Sequence, residues 1–176
     1  MAVVIPDLNM IFFLSPGTGS TSLSKFFIDE LCGEWIIDAV AGKHATPSDV
    51  RAHGYDLSSY ICVTTTRNPF DFYISQYHKK RTWAGDDPSL VFARTHDFLA
   101  FLDRVLPDTP DGLLHPAFLN HADIVLRKEF LREDVRELLN YFRVDLEAEL
   151  PTENVSDGLV HNSILGTRQQ QSGKLK

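Results

Sequence analysis

Met10–Leu31, MIFFLSPGTGSTSLSKFFIDEL, decides how the rest of the chain is read. Ile11, Phe12, Phe13 and Leu14 form an apolar run without polar alternation, the pattern of a strand buried on both faces of a parallel sheet. Ser15-Pro16-Gly17-Thr18-Gly19-Ser20 breaks the chain into a tight loop of small residues. Leu23, Phe26, Phe27 and Leu31 then recur at helical spacing. The stretch reads as strand, Gly-rich turn, helix. Such a turn aims backbone N–H groups and the positive end of a helix dipole at one point, a natural seat for a phosphate. Ser20, Thr21 and Ser22 place hydroxyl groups at the same spot.

Further along, strands and helices alternate. Residues 1–9 read as a lead-in, with Pro6 against regular structure. Trp35–Val40 reads as the second strand, closed by Gly42-Lys43-His44. Thr46 caps a short helix with Pro47 at its first position, and Gly54 ends it. Tyr60–Thr66 is a β-rich third strand that ends in Arg67-Asn68-Pro69. Asn68 caps a helix whose apolar face is Phe70, Tyr73, Ile74 and Tyr77. Leu90–Leu106 reads as one helix with a Phe98, Leu99, Leu102, Leu106 stripe. Pro107–Asn120 is irregular, a loop long enough to suggest function. Ile124-Val125-Leu126 is a short strand, and Leu131–Phe142 an amphipathic helix. The expected fold is therefore α/β, a three-layer arrangement of a mainly parallel sheet flanked by helices. The opening loop, residues 42–44 and residues 66–68 all fall at carboxyl ends of strands, where such sheets bind ligands.

The chain has 176 residues, enough for one domain with a real core, and its charged fraction of 23% is ordinary for a globular protein. Residues 10–156 form the expected core and 157–176 a polar tail. A net charge of −7 argues against a general nucleic-acid binder. No apolar run approaches the ~20 residues of a membrane span. The start has no basic region followed by a long apolar segment, so a cytoplasmic protein is expected. Cys32 and Cys62 read as buried free thiols, not as a disulfide or metal site. No metal ligand set is expected, and the oligomeric state is not written in the sequence.

Two segments resemble a known family. Ser15-Pro16-Gly17-Thr18-Gly19-Ser20-Thr21-Ser22-Leu23 resembles the 5′-phosphosulfate loop of sulfotransferases, usually written PKTGTTSL. Thr66-Arg67-Asn68-Pro69-Phe70-Asp71-Phe72-Tyr73-Ile74-Ser75-Gln76-Tyr77 resembles that family's 3′-phosphate motif, RNPfdRfvSaY. Order and spacing agree. Weaker similarities lie at 42–46, 126–131 and in Leu150-Pro151 with Asn154 and Ser156, so the resemblance runs from Met10 to Ser156. It implies a P-loop NTPase-like fold. The implied donor is 3′-phosphoadenosine 5′-phosphosulfate, with adenosine 3′,5′-bisphosphate as product and no metal. The implied acceptor is a hydroxyl or amine, on a carbohydrate or small molecule. Two separate anionic groups on the donor need two anion sites. Residues Pro16, Gly17, Thr18, Gly19, Ser20, Thr21 and Ser22 offer one. Arg67, with its planar fork of donors, and Ser75 offer the other.

Sulfuryl transfer asks for alignment of nucleophile, sulfur and leaving oxygen, for charge stabilisation, and for a base. His44, after a strand at the binding edge, is the candidate base. His53, His78, His96, His115, His121 and His161 have no motif support and read as structural. Gly17 departs from the family, which has lysine there against the donor's bridging oxygen. Lys43 is the candidate replacement from the neighbouring strand end. Gly166-Thr167-Arg168 and Gly173-Lys174 are the tail's candidates for a basic 3′-phosphate loop. Besides an unrelated α/β domain with a coincidental loop, two rivals remain open at this point. One is a P-loop kinase or NTPase, which needs GxxxxGK[ST], whereas Ser20 follows the last loop glycine here. The other is a sulfotransferase-like binding protein that lacks catalysis with the lysine. Loops 83–89 and 107–120, with Trp83 and Phe118, are the expected acceptor region.

Overall fold

The computed structural model describes residues 2–36, 44–106 and 116–145. Five strands form one sheet, in the order β3-β1-β2-β4-β5. They are β1 (Ala2–Ile5), β2 (Met10–Phe13), β3 (Glu34–Ile36), β4 (Ile61–Thr66) and β5 (Ile124–Arg127). β2 pairs in parallel with β4, and β4 with β5. β1 runs antiparallel to both β2 and β3. The sheet is thus mixed, not mainly parallel, because β1 alone is reversed while β2, β3, β4 and β5 share one direction.

The lead-in expected over residues 1–9 is this reversed strand. Ala2, Val3, Val4 and Ile5 are all buried. Pro6 does not break the strand; it begins the short 3-10 turn Pro6–Leu8 that reverses the chain, closed by Asn9 in the left-handed conformation. Proline suits the first position of such a turn because it has no N–H to leave unpaired. Strand residues alternate between two cores. Val3, Ile5, Met10, Phe12, Val63 and Leu126 face α1 (Ser20–Leu31) and α7 (Leu131–Tyr141). Ala2, Val4, Ile11, Phe13 and Cys62 face the opposite way, toward Val50 of α2 (Pro47–Ala52), Leu57 and Phe118 of α6 (Pro116–Leu119). Phe27 meets Phe12 edge-on with ring centroids 5.0 Å apart.

The remaining helices lie beside this sandwich. α3 (Pro69–Thr82), α4 (Pro88–Thr95) and α5 (Phe98–Val105) share a small cluster of Tyr77, Ala93 and Phe101. The single helix expected over Leu90–Leu106 is two. Asp97 accepts a hydrogen bond from Ala100 N at 2.9 Å and starts a new helix, an N-cap that a stripe of leucines conceals. The stripe also differs: Phe101 is buried, whereas Leu99 is exposed. On α3, Tyr73 and Tyr77 are buried but Phe70 is 77% exposed, so Phe70 is not part of the apolar face. Cys62 is buried as expected; Cys32 is exposed, at the left-handed end of α1. Among the described residues no helix is long and apolar enough to cross a membrane.

Caps agree with the sequence. Thr46 and Asp49 form a reciprocal capping box on α2 with Pro47 at its start. Asn68 accepts from Phe70 N at 2.9 Å at the start of α3. Residues 37–43, 107–115 and everything beyond 145 lie outside the described residues. That group includes the far part of the expected second strand, Gly42, Lys43, most of the long loop, His115, His161, the Leu150–Ser156 similarity and the tail.

Candidate functional site: a cation-rimmed loop at the sheet edge

β2 leads through Leu14 into the loop, and α1 starts at Ser20 with Gly19 as its N-cap. Gly17 and Gly19 have φ of +73° and +82°, a region that L side chains rarely adopt. The loop is braced from within. Thr18 Oγ1 donates to Ser15 O at 2.7 Å, and Ser20 Oγ donates to the same carbonyl at 2.8 Å. Thr18 Oγ1 also meets Thr65 Oγ1 of β4, and since Thr18 gives its proton to the carbonyl, Thr65 is the donor of that pair. Thr18 and Ser20 are buried. Their hydroxyl protons, which the sequence reading assigned to a ligand, therefore hold the loop's shape. Gly19, which has no side chain, gives α1 no side-chain cap.

Other segments converge on this loop. Arg67, after β4, donates from Nη1 to Gly17 O at 3.2 Å. Burial lowers its pKa, while Asp71 and Glu129 act in the opposite sense. A guanidinium stays charged at any working pH all the same. His44 Nδ1 lies 2.8 Å from Leu14 O. A carbonyl oxygen only accepts, so Nδ1 carries a proton and the neutral ring has its lone pair on Nε2, the tautomer a base requires. The structure thus brings the loop, Arg67 and His44 together. Ser75 is half-buried on α3, one position before Gln76, whose Nε2 lies 3.3 Å from the place a Gly17 Cβ would occupy.

Two further residues border the loop. Phe72 stands where the quoted 3′-phosphate motif writes its second arginine, and its Cε2 lies only 2.5 Å from the position of a Cβ on Gly17. A lysine at 17 would meet this ring and a positive φ together. The other is Lys128, which follows β5. A Cβ on Gly19 would lie 2.8 Å from Lys128 Nζ and 2.9 Å from its Cδ, so the lysine chain crosses the loop at its second glycine. Parallel pairing of β4 with β5 sets Thr66 opposite Arg127, which brings Lys128 level with Arg67. Its signals in the sequence are a cation directly after a strand at the binding edge and a place inside the weak similarity at 126–131.

Phe118, which by sequence either stacks on an acceptor or anchors its loop to the core, is buried in the core beneath the sheet. Trp83 is exposed at the end of α3, with Lys79 Nζ 4.5 Å from its ring centre.

The chain matches no family model, no curated protein and no solved structure. The resemblance therefore stands on the two sequence motifs.

Proposed function

We propose that the protein is a sulfotransferase. It would move a sulfuryl group from 3′-phosphoadenosine 5′-phosphosulfate to a hydroxyl or amine of a small-molecule or carbohydrate acceptor. The observation that carries this reading is the hydrogen bond from Arg67 to Gly17 O. It joins two motif segments 50 residues apart into one site. A ligand with anionic groups at both 5′ and 3′ positions asks for such a joint site, with loop amides at one end and a guanidinium fork at the other. The fold is consistent with it, since both segments leave parallel neighbours at their carboxyl ends.

The chemistry follows from these positions. Loop amides and the α1 dipole hold the 5′ anion; Arg67 and Ser75 hold the 3′-phosphate. The acceptor oxygen attacks sulfur, the bond from sulfur to the bridging oxygen breaks, and its electron pair leaves on adenosine 3′,5′-bisphosphate. His44 Nε2 takes the acceptor proton. Gly17 favours a second reading, a nucleotide-binding protein without turnover, because it lacks the family's lysine and Phe72 occupies the space that a lysine side chain there would need.

Thermal unfolding with added nucleotides tests the ligand, since binding to the native state raises its stability. Adenosine 3′,5′-bisphosphate is expected to raise the midpoint well above ADP at equal concentration. A shift with ATP and magnesium but none with the bisphosphate would instead support a kinase or NTPase. Transfer of label from radioactive donor then separates the enzyme from the binding protein. On the enzyme reading, His44→Ala lowers turnover about a hundredfold or more while bisphosphate binding persists.

A further inference from the structure

Lys128 sits in a place that electrostatics disfavours. Its side chain lies across Gly19, the N-cap of α1. A helix N-terminus is the positive end of the dipole, so an ammonium there is repelled and an anion attracted. The nearby Arg67 is a second cation, and it repels Lys128 as well. Burial adds to the strain on this charge, and together with Arg67 it pushes the Lys128 pKa down; Glu129 only partly opposes this. Glu129 is engaged with the backbone, its Oε1 accepting from Asn68 N at 2.7 Å. Among the described residues neither Lys128 nor Arg67 forms an ion pair. Arg127, the neighbour of Lys128, shows the contrast: it is paired with Asp134 at 2.6 Å.

Dipole, neighbouring charge and burial all oppose the ammonium, and one event relieves all of them: an anion between Lys128 and the loop. Position 17 cannot supply the cation, since Phe72 covers it and its φ is +73°. Position 128 reaches the loop over the glycine two residues on. Gly19 leaves the room that the Lys128 chain occupies.

We propose that Lys128 replaces the missing loop lysine, closing its ammonium over Gly19 onto a phosphate or phosphate-anhydride group held by residues 15–20. The identity of that anion as the 5′ end of a 3′-phosphorylated nucleotide rests on the sulfotransferase reading; the clamp itself does not. Lys128 and Phe72 then act as a pair. Phe72 closes the usual lysine position, and Lys128 supplies the charge from the end of β5.

The experiment is titration calorimetry with inorganic pyrophosphate, at up to millimolar concentration, on the full chain. Wild type binds it. Lys128→Met weakens binding about ten- to hundredfold, as expected for loss of a charged hydrogen-bond donor, and Lys128→Arg retains most of the affinity. Arg136→Ala, an exposed charge on α7, leaves it unchanged. Without ligand, Lys128→Met melts no lower than wild type, since the variant loses an unfavourably placed charge. The proposal is overturned by a wild type that does not bind pyrophosphate. It is equally overturned by equal losses in Lys128→Met and Arg136→Ala, by unaltered binding in Lys128→Met, or by a clear fall in that variant's own melting point. If pyrophosphate binds through Lys128 yet adenosine 3′,5′-bisphosphate binds no tighter than adenosine 5′-phosphate, the clamp stands and the nucleotide reading falls.

Discussion

The two flanks of β2 are built differently. On one side lies β1, antiparallel and joined to β2 by the short turn at Pro6–Leu8. On the other lie β4 and then β5, parallel, each reached by a crossover. β1 itself consists of buried Ala2, Val3, Val4 and Ile5 and carries no ionisable side chain. The parallel flank ends in Arg67 and Lys128 at the loop. Strand direction accounts for the difference. A reversed strand puts its carboxyl end at the far edge of the sheet, so its end residues cannot serve a site built where β2 ends. Parallel strands place their last residues side by side there.

This division gives stability to one flank and binding to the other, and it can be broken by experiment. Phe27 is fully buried against Phe12. Phe27→Ala is expected to cost about 3–5 kcal/mol in urea unfolding, with affinity for adenosine 3′,5′-bisphosphate unchanged in the fraction that stays folded. Arg67→Ala should show the reverse. Calorimetric affinity for the bisphosphate falls by about 1.5–3 kcal/mol, while the urea midpoint barely moves. A large stability loss in Arg67→Ala would mean that the parallel flank is structural after all.

Gly17→Lys sharpens the comparison. The family resemblance says it restores a function; the position of Phe72 says it strains the loop. We expect about 1–3 kcal/mol of lost stability from the positive φ and the ring together, and weaker bisphosphate binding. Tighter binding in this variant would show that the loop opens easily to admit the side chain.

The smallest effect concerns pH. The Asp134 carboxyl is held below its usual range, chiefly by the hydrogen bond from the Arg127 side chain, against the opposing effect of burial. Arg127 N also donates to it at 2.6 Å. A depressed carboxylate contributes stability that is present above its unfolded pKa of about 3.9 and is lost as pH falls through the folded value. Asp134→Asn should therefore destabilise at neutral pH and flatten the acid limb of the melting-temperature profile. An acid limb identical to wild type would remove Asp134 as its source.

Much of this was readable from residue order. The run Ile11–Leu14, the two loop glycines, the Asn68-Pro69 start of α3 and the spacing of Leu131, Val135, Leu138 and Leu139 each state a local preference that tertiary structure does not override. β1 was not readable, because four apolar residues before a proline are equally well a loose end; pairing with both β2 and β3 makes them a strand. The break at Asp97 escaped notice because no glycine or proline marks it. Arg67 and His44 could be placed from their positions after strands. Lys128 could not, since Arg127-Lys128-Glu129 looks like the solvated start of a helix until the strand register sets it beside Arg67. Phe72 was invisible for a related reason: its role depends on which way one helix face lies over a loop 55 positions earlier, and spacing within the helix carries no such information.

The reversed strand also bears on how the molecule assembles. β1, β2, α1 and β3 all come from the segment Ala2–Ile36, and their pairings, such as Val3 with Phe12 and with Trp35, close short loops. The parallel pairings bridge long ones, Met10 to Ile61 and Val63 to Ile124. Short loops lose less entropy on closure, so the antiparallel half is expected to form first. Pulse-labelled hydrogen exchange during refolding should find amides of β1 and β3 protected before those of β5. Simultaneous protection would refute that order. On this route the hydrophobic half of the sheet exists while its charged rim does not, and the ability to hold an anion arrives only with the last strand.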